Sequence, residues 1–465
     1  MEKITKHGKF WLDNKQNAIP GTIEFLDNSK VIIFVHGILS SYKMMEFKGE
    51  HRELNGEIYN EYDIKIINPV SYPRRGINEK HDCEVYEGDF YIKGKNDLFT
   101  ENKKYREIKW SLDEYESWIN IYPCSIKKYG ESYTVSIDKE CMEKYEWDSE
   151  VGLVKICFEE KLDNWFLCNN SSKFEISGSW YLYITINKPE EEIDRIIEIS
   201  QLVERFFITL VSNNFTIKNP VISDQDGNEY KLYFITYDYR KTNRNNMFVS
   251  QLKIFSENFG KILGKYINSY EHYLSGFYSY TSLFVNGGFN ETRFASCISG
   301  LEAIHTKDFG KYKIKKSRDD IKRTFKEKLI DCTLFDNKER SAILYNYNKK
   351  YEFNLGERLK ELTSEMDFFD KKKIDRIIEN AVSVRNDIAH YGGIRDVNSI
   401  FTNKDVTFLL EIFRMIYLFS IMKVIGVDKK TISCLYNSSP DLGGPKICYE
   451  TYFPKDTNTQ KKKGA

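Results

Sequence analysis

One short stretch of the chain gathers the residue types needed for proton transfer and phosphate binding. Asn380-Ala381-Val382-Ser383-Val384-Arg385-Asn386-Asp387-Ile388-Ala389-His390-Tyr391-Gly392-Gly393 holds a guanidinium, a carboxamide and an imidazole within six residues, at Arg385, Asn386 and His390. On a helix, Asn386 and His390 are four apart and share a face, with Arg385 on the adjoining one. Gly392-Gly393 is a natural helix stop, which places His390 in or just past the last turn, where the helix dipole favours positive charge. An imidazole changes charge near neutral pH and suits proton transfer. Arg385 offers a fork of donors to a phosphate, and Asn386 can orient the histidine or the phosphate. These are the parts for cutting RNA without a metal. One group activates the ribose 2′-hydroxyl, one protonates the 5′-oxygen, and a cation stabilises the scissile phosphate. A single histidine supplies one proton-transfer group, so a homodimer with two such segments about a two-fold axis is expected. The bare spacing of Arg and His also fits a histidine capping a helix end and an arginine in a surface ion pair.

Other chemistry is thinly represented. Lys315, Lys316, Arg318, Lys322 and Arg323 lie in a basic run with interleaved Tyr312, Ile314 and Phe325, which fits an RNA backbone as well as a solvated helix face. Val31-Ile32-Ile33-Phe34-Val35-His36-Gly37 resembles the strand and oxyanion loop of an α/β-hydrolase, but no Gly-x-Ser-x-Gly follows it. The chain has no P-loop, no dinucleotide-binding glycine motif and no His-Glu-x-x-His. Its nine cysteines are scattered, and none forms a Cys-x-x-Cys pair, so neither a zinc site nor a disulfide framework is expected. No cofactor and no metal are expected. His7, His36, His51, His81, His272 and His305 are isolated and read as structural or exposed.

The elements that must position the Arg385 segment fall into two regions. Before about residue 185, short runs rich in β-branched and aromatic residues predict strands: Ile23 to Phe25, Lys30 to Val35, Ile64 to Ile67, Tyr133 to Ile137, Leu153 to Phe158 and Trp180 to Ile186. A break at Asn187-Lys188-Pro189 precedes one helix with apolar residues from Ile193 to Leu210. A strand pair follows, around Phe215 to Ile222 and Lys231 to Tyr237, turning at Asp226-Gly227. From Met247 onward helix follows helix: Met247 to Phe284, Glu291 to His305, Asp319 to Ile330, Lys338 to Tyr347, Gly356 to Met366, Lys372 to Ala389 and Asp405 to Val424. The expected class is α+β, a β-rich N-terminal domain with one helix followed by an all-α bundle.

With 465 residues the chain is expected to form two or three domains. The polar Lys241-Thr242-Asn243-Arg244-Asn245-Asn246 marks a boundary. That gives a regulatory domain at 1–245, a helical domain at 246–436 and an extension at 437–465 with a disordered basic tail. The net charge of zero conceals an asymmetry. Residues 1–250 hold 33 Lys+Arg against 42 Asp+Glu, whereas residues 251–465 hold 36 against 27, so the helical half is where a polyanion is expected. No apolar run is long enough for a membrane span or a signal peptide, so a cytoplasmic protein is expected.

The segment from Asn380 to Gly393 resembles the motif of the HEPN family, an Arg and a His with four to six residues between them and a polar residue directly after the Arg. Arg293-Phe294-Ala295-Ser296-Cys297-Ile298-Ser299-Gly300-Leu301-Glu302-Ala303-Ile304 is similar to the Arg…Leu-Glu-Ala helix of ApeA-type antiphage proteins. Gly8-Lys9-Phe10-Trp11, Ile19-Pro20-Gly21-Thr22-Ile23 and Leu112 to Trp118 look like the opening and later parts of that family's N-terminal domain. The resemblance implies a dimeric ribonuclease acting in abortive infection. It also implies a sensing N-terminal domain, a phage-derived protein trigger, and cellular RNA, with tRNA a candidate, as the substrate. It places Glu302 on a helix beside the Arg385 helix, near His390, where it would hold the histidine's tautomer. The alternative from another class is a catalytically silent HEPN-like binding or scaffold module.

Overall fold

A computed structural model describes residues 4–26, 30–37, 39, 49–50, 53–75, 82–95, 98–99, 103–112, 115–120, 124–129, 132–137, 145–160, 178–190, 193–211, 220–234, 252–255, 257–284, 288–310, 327, 336–343, 352–394 and 400–455. The chain divides into two compact units, Met1–Asn268 and Ser269–Ala465. The architecture is α+β, with an antiparallel sheet in the first unit and helices in the second. The polar segment 241–246, the basic tail and the predicted helix from Asp319 to Ile330, except Glu327, lie outside the described residues.

In the first unit the strands in chain order are β1 Ile4–Trp11, β2 Ile19–Phe25, β3 Val31–Val35, β4 Gly49–Glu50, β5 Glu53–Ile58, β6 Tyr62–Ile67, β7 Val70–Arg75, β8 Asp82–Gly88 and β9 Phe90–Gly94. There follow β10 Tyr105–Ser111, β11 Cys124–Tyr129, β12 Ser132–Ile137, β13 Tyr145–Asp148, β14 Gly152–Glu160, β15 Gly178–Glu190, β16 Val221–Asp224 and β17 Glu229–Phe234. Fifteen of these form one sheet in the order β13-β14-β15-β10-β16-β17-β9-β6-β5-β1-β2-β3-β8-β7-β4, and β11 pairs with β12. Alternation drives the sheet. In β3 every second residue (Val31, Ile33, Val35) is fully buried, and in β10 Tyr105, Ile108 and Trp110 are buried between charged neighbours. Each such large apolar side chain contributes roughly 1.5–3 kcal/mol on burial. Val31, Ile33 and Val35 share a core with Phe10, Ile23, Leu54, Ile64, Ile66 and Tyr86. The sheet curls strongly. Phe25 of β2 reaches Tyr91 of β9, ring centroids 5.7 Å apart, although three strands separate them in the order.

The end of β15 differs from the sequence expectation. The strand predicted to stop at Ile186 continues through Pro189 to Glu190, with Tyr105 opposite Glu190 across an irregularity in the β10–β15 ladder. A proline is tolerated where the regular ladder fails. The turn at Asp226-Gly227 forms as expected. Gly227 has φ +84°, and the Asp224 carboxylate accepts from the backbone N–H of Asp226 and Asn228 at 3.0 and 2.8 Å.

Four helices accompany the sheet: α1 Glu116–Ile119, α2 Ile193–Leu210, α3 Leu252–Phe255 and α4 Phe259–Ser269. The continuous helical run expected from Met247 to Phe284 is instead α3, α4 and, in the second unit, α5 Leu274–Ser282, with turns between them. Aromatic packing holds α4 to this unit. Phe259 meets Trp118, Trp147 and Phe206 at 5.6, 5.3 and 5.7 Å. On α2 the carboxyl group of Glu204 is buried with Oε1 unpartnered. Burial raises its pKa from 4.5 to about 8, opposed by the charge of Arg205.

The second unit continues with α6 Asn290–Phe309, a helical segment at 337–343, α7 Leu355–Thr363, α8 Lys371–Tyr391, α9 Asn403–Val424, α10 Lys429–Ser438 and α11 Gly443–Thr451. Helix α9 is its core, with Leu409, Phe413, Ile416 and Phe419 fully or almost fully buried. Gly300 of α6 lets α9 approach closely. A Cβ there would lie within 1.7 Å of the Tyr417 hydroxyl, which donates to the Gly276 carbonyl of α5. Capping boxes start α7 at Asn354 and Glu357 and α9 at Thr402 and Asp405.

Candidate active site

Helix α8 carries Arg385, Asn386 and His390. It begins where the Asp370 carboxylate accepts from the Lys373 backbone N–H at 2.7 Å. It ends as its sequence dictates. Gly392 takes the left-handed conformation at φ +71°, and its N–H donates to the Ile388 carbonyl at 3.0 Å. His390 therefore occupies the final turn. Ile374, Ile377, Ile378, Ala381 and Val384 form the buried face. Asn386 and His390 are exposed on the side away from it and Tyr391 is exposed in the last turn, whereas Arg385, in helical phase with Ile378 and Ala381, is half-buried beside the apolar face. Among the described residues, the side chains of Arg385, Asn386 and His390 have no hydrogen bond and no ion pair; His390 makes an edge contact with the Tyr391 ring at 6.4 Å. A guanidinium, an amide and an imidazole at one helix end are thus available to a ligand.

The partners of α8 lie on its other side and were not foreseen from the sequence. Asn380 is 1% exposed. Its Nδ2 donates to the Lys455 carbonyl at 2.9 Å, and its Oδ1 accepts from the Lys455 N–H at 2.7 Å and the Tyr452 hydroxyl at 3.1 Å. Lys455 Nζ in turn reaches Asp405 at 2.6 Å and the Ile400 carbonyl at 2.8 Å; against the desolvation that raises it, the hydrogen bonds from Lys455 and Thr402 hold the Asp405 carboxyl below its usual range. At the other end of α8, the Tyr449 hydroxyl accepts from the Asp370 N–H at 2.9 Å. The segment from α11 to Lys455 is a strap fastened along α8. Only the asparagine's place in an apolar helical stripe could have signalled it.

Glu302 lies in the middle of α6, half-buried. Its carboxylate stands 3.7 Å from Arg358 Nε of α7. Among the described residues no hydrogen bond or ion pair joins it to His390. Arg358 is 5% exposed and also donates to the Phe353 carbonyl at 3.1 Å and to the Thr306 hydroxyl. Glu302, Thr306 and Arg358 share a cleft of about 580 Å³ with Glu271, Ser299 and Lys307, and Arg385 and His390 are not in its lining. Arg293 is bound at the start of α6, where its Nε and Nη2 donate to the Leu283 carbonyl at 3.2 and 2.8 Å. His305 is fully buried between Phe309 and Phe353, with Nε2 2.8 Å from the Glu361 carboxylate. Burial lowers its pKa, opposed by the hydrogen bond to Glu361. It is a structural histidine.

Lys315, Lys316, Arg318, Lys322 and Arg323 lie outside the described residues. Among the described residues, no group of three or more His, Cys, Asp or Glu side chains is placed to hold a metal ion, and no helix is long and apolar enough to cross a membrane.

Residues 295–431 match the family model described as Apea-like HEPN. The match spans α6 to the start of α10 and includes Glu302 and the whole Arg385–His390 segment. Residues 295–431 of the helical unit are thus similar to Apea-like HEPN domains, a domain type associated in general with ribonucleases. No curated protein and no solved structure matches the chain.

Proposed function

We propose that the chain is a metal-independent endoribonuclease that acts in antiphage defence by abortive infection. The observation that carries this reading is the trio of Arg385, Asn386 and His390 at the end of one helix, whose side chains have no hydrogen bond or ion pair among the described residues. In the reaction, the ribose 2′-oxygen forms a bond to the scissile phosphorus while the bond to the 5′-oxygen breaks. The products are a 2′,3′-cyclic phosphate and a free 5′-hydroxyl. His390 takes the proton from the 2′-hydroxyl or gives one to the departing 5′-oxygen. Arg385 neutralises charge on the phosphate oxygens, and Asn386 orients the phosphate or the imidazole. A second copy related by a two-fold axis supplies the other histidine, so the active form is a homodimer in the cytoplasm. Glu302 belongs to this reading as the residue that holds the tautomer of His390, although in the fold its carboxylate stands beside Arg358, 3.7 Å from Nε. The basic run Lys315, Lys316, Arg318, Lys322 and Arg323 tracks the RNA backbone. The acidic N-terminal half restrains the nuclease until it meets a phage-derived protein, and tRNA is the first substrate to examine.

The test is incubation of the purified chain with total cellular RNA in the presence of a chelator, alone and with lysate from phage-infected cells. Discrete fragments ending in 2′,3′-cyclic phosphates are expected. His390→Ala and Arg385→Ala should each abolish them while leaving the fold intact. Cleavage by His390→Ala at the wild-type rate refutes the site. The absence of fragments under every condition favours a silent binding module instead.

A further inference from the structure

At one end of the curled sheet core, a lysine is enclosed by four aromatic rings. Lys93 Nζ lies 3.8 Å from the ring centroid of Phe25, 4.8 Å from Tyr62, 5.0 Å from Tyr233 and 5.3 Å from Tyr91. The sheet register explains the cluster. Lys93 of β9 sits opposite Ile64 of β6 and Lys231 of β17, so Tyr91, Tyr62 and Tyr233, each two residues from one of these, share its face. The curl of the sheet then carries Phe25 in from β2. Tyr91 and Tyr233 are stacked at 4.6 Å with their planes 9° apart. Phe25, Tyr62 and Tyr233 are only partly buried and pack on the edge of the core, and Lys93 itself is half-buried. The cage therefore closes on the core side and opens to solvent, as ligand sites do at the mouths of curled sheets and barrels.

We infer that this aromatic mouth is a binding site for a small apolar or aromatic aldehyde, with Lys93 as the amine that captures it as an imine. The Lys93 nitrogen, after losing its proton to solvent, attacks the carbonyl carbon. The carbinolamine expels water, and the imine takes up a proton. The ring faces that surround the ammonium then surround an iminium, so the cation–π contacts persist in the adduct. The tyrosine rings stay neutral phenols, because burial is the largest of the effects raising the pKa of Tyr62, Tyr91 and Tyr233. Burial also lowers the Lys93 amine to about 8, with Lys231 and Lys6 acting in the same direction and Glu61 against it. Lys6 Nζ and Glu61 are themselves paired at 2.5 Å. Desolvation of this kind activates lysines for imine formation.

Nothing in this inference depends on the ribonuclease reading. The experiment uses the full chain with benzaldehyde and cyanoborohydride at pH 7, followed by peptide mass spectrometry at low extents of labelling. An amine with a pKa near 8 has roughly 200-fold more free base at pH 7 than an ordinary lysine. A lower pKa also weakens the nucleophile, as it does for thiols, so an enrichment of at least about tenfold over the median lysine is expected. The labelling rate at Lys93 should rise with a midpoint near 8. Tyr233→Ala should reduce the enrichment. Labelling at the median rate, or a midpoint at ordinary lysine values, overturns the inference.

Discussion

Glu204→Gln isolates one buried charge, and its consequence is calculable. Glu204 of α2 is 3% exposed, and among the described residues its Oε1 has no hydrogen-bond partner. Burial raises its pKa from 4.5 to about 8. The folded chain therefore keeps a proton that the unfolded chain releases. Between pH 4.5 and 8 the unfolded state binds fewer protons, so stability falls as pH rises, by about 1.4 kcal/mol per pH unit. Over the whole window this amounts to about 5 kcal/mol, and by pH 7 to about 3 kcal/mol. Glutamine stays neutral throughout, so the variant should lack this slope and gain on the wild type with rising pH. The assay is urea unfolding followed by tryptophan fluorescence at pH 5, 6, 7 and 8. Trp11, Trp110, Trp118, Trp147, Trp165 and Trp180 are the only tryptophans of the chain, and all fall in the first unit, so the signal reports the unit that contains Glu204. Parallel pH profiles for wild type and variant refute the reasoning.

Three further outcomes follow from particular contacts. Asn380→Ala removes three hydrogen bonds and leaves the Lys455 N–H without its acceptor. It should lower the stability of the second unit by about 2–4 kcal/mol, read from thermal melts by circular dichroism. Gly300→Ala drives a methyl group into Tyr417 and should cost about 1–3 kcal/mol in the same melts, and Gly300→Ala combined with Tyr417→Phe should recover part of that loss. His390→Ala and Asn386→Ala, at exposed positions without side-chain hydrogen bonds, should each change stability by no more than about 0.5 kcal/mol.

The helix that carries the candidate site was legible almost to the residue, because two local signals agree on it. Its apolar residues recur at helical spacing, and Gly392 can take positive φ at its end; the Asp370 cap at its start emerged only from the fold. The turn at Asp226-Gly227 was legible for the same reason. The sheet was harder to see. β10 (Tyr105–Ser111) interleaves Arg106, Glu107 and Lys109 with its buried residues, and β5 (Glu53–Ile58) carries Asn55 and Gly56 in place of β-branched residues. Their strand character comes from pairing with neighbours, and a single segment does not encode it. Long-range contacts were invisible for a related reason. Nothing near Glu302 in the sequence points to Arg358, and nothing near Asn380 points to Lys455, because each pair is joined only by the packing of distant helices.

The strap along α8 also sets an order of events during synthesis. Lys455 is made 65 residues after His390, and until it emerges Asn380 has no partner for its amide and α8 has no clasp on that side. A ribosome that has just finished the Arg385–His390 segment therefore carries it on an unfastened helix. The hydrogen bonds that Asn380 makes to Tyr452 and Lys455 can form only after residues 452–455 have been translated, so the clasp on α8 is added after the helix itself has been made.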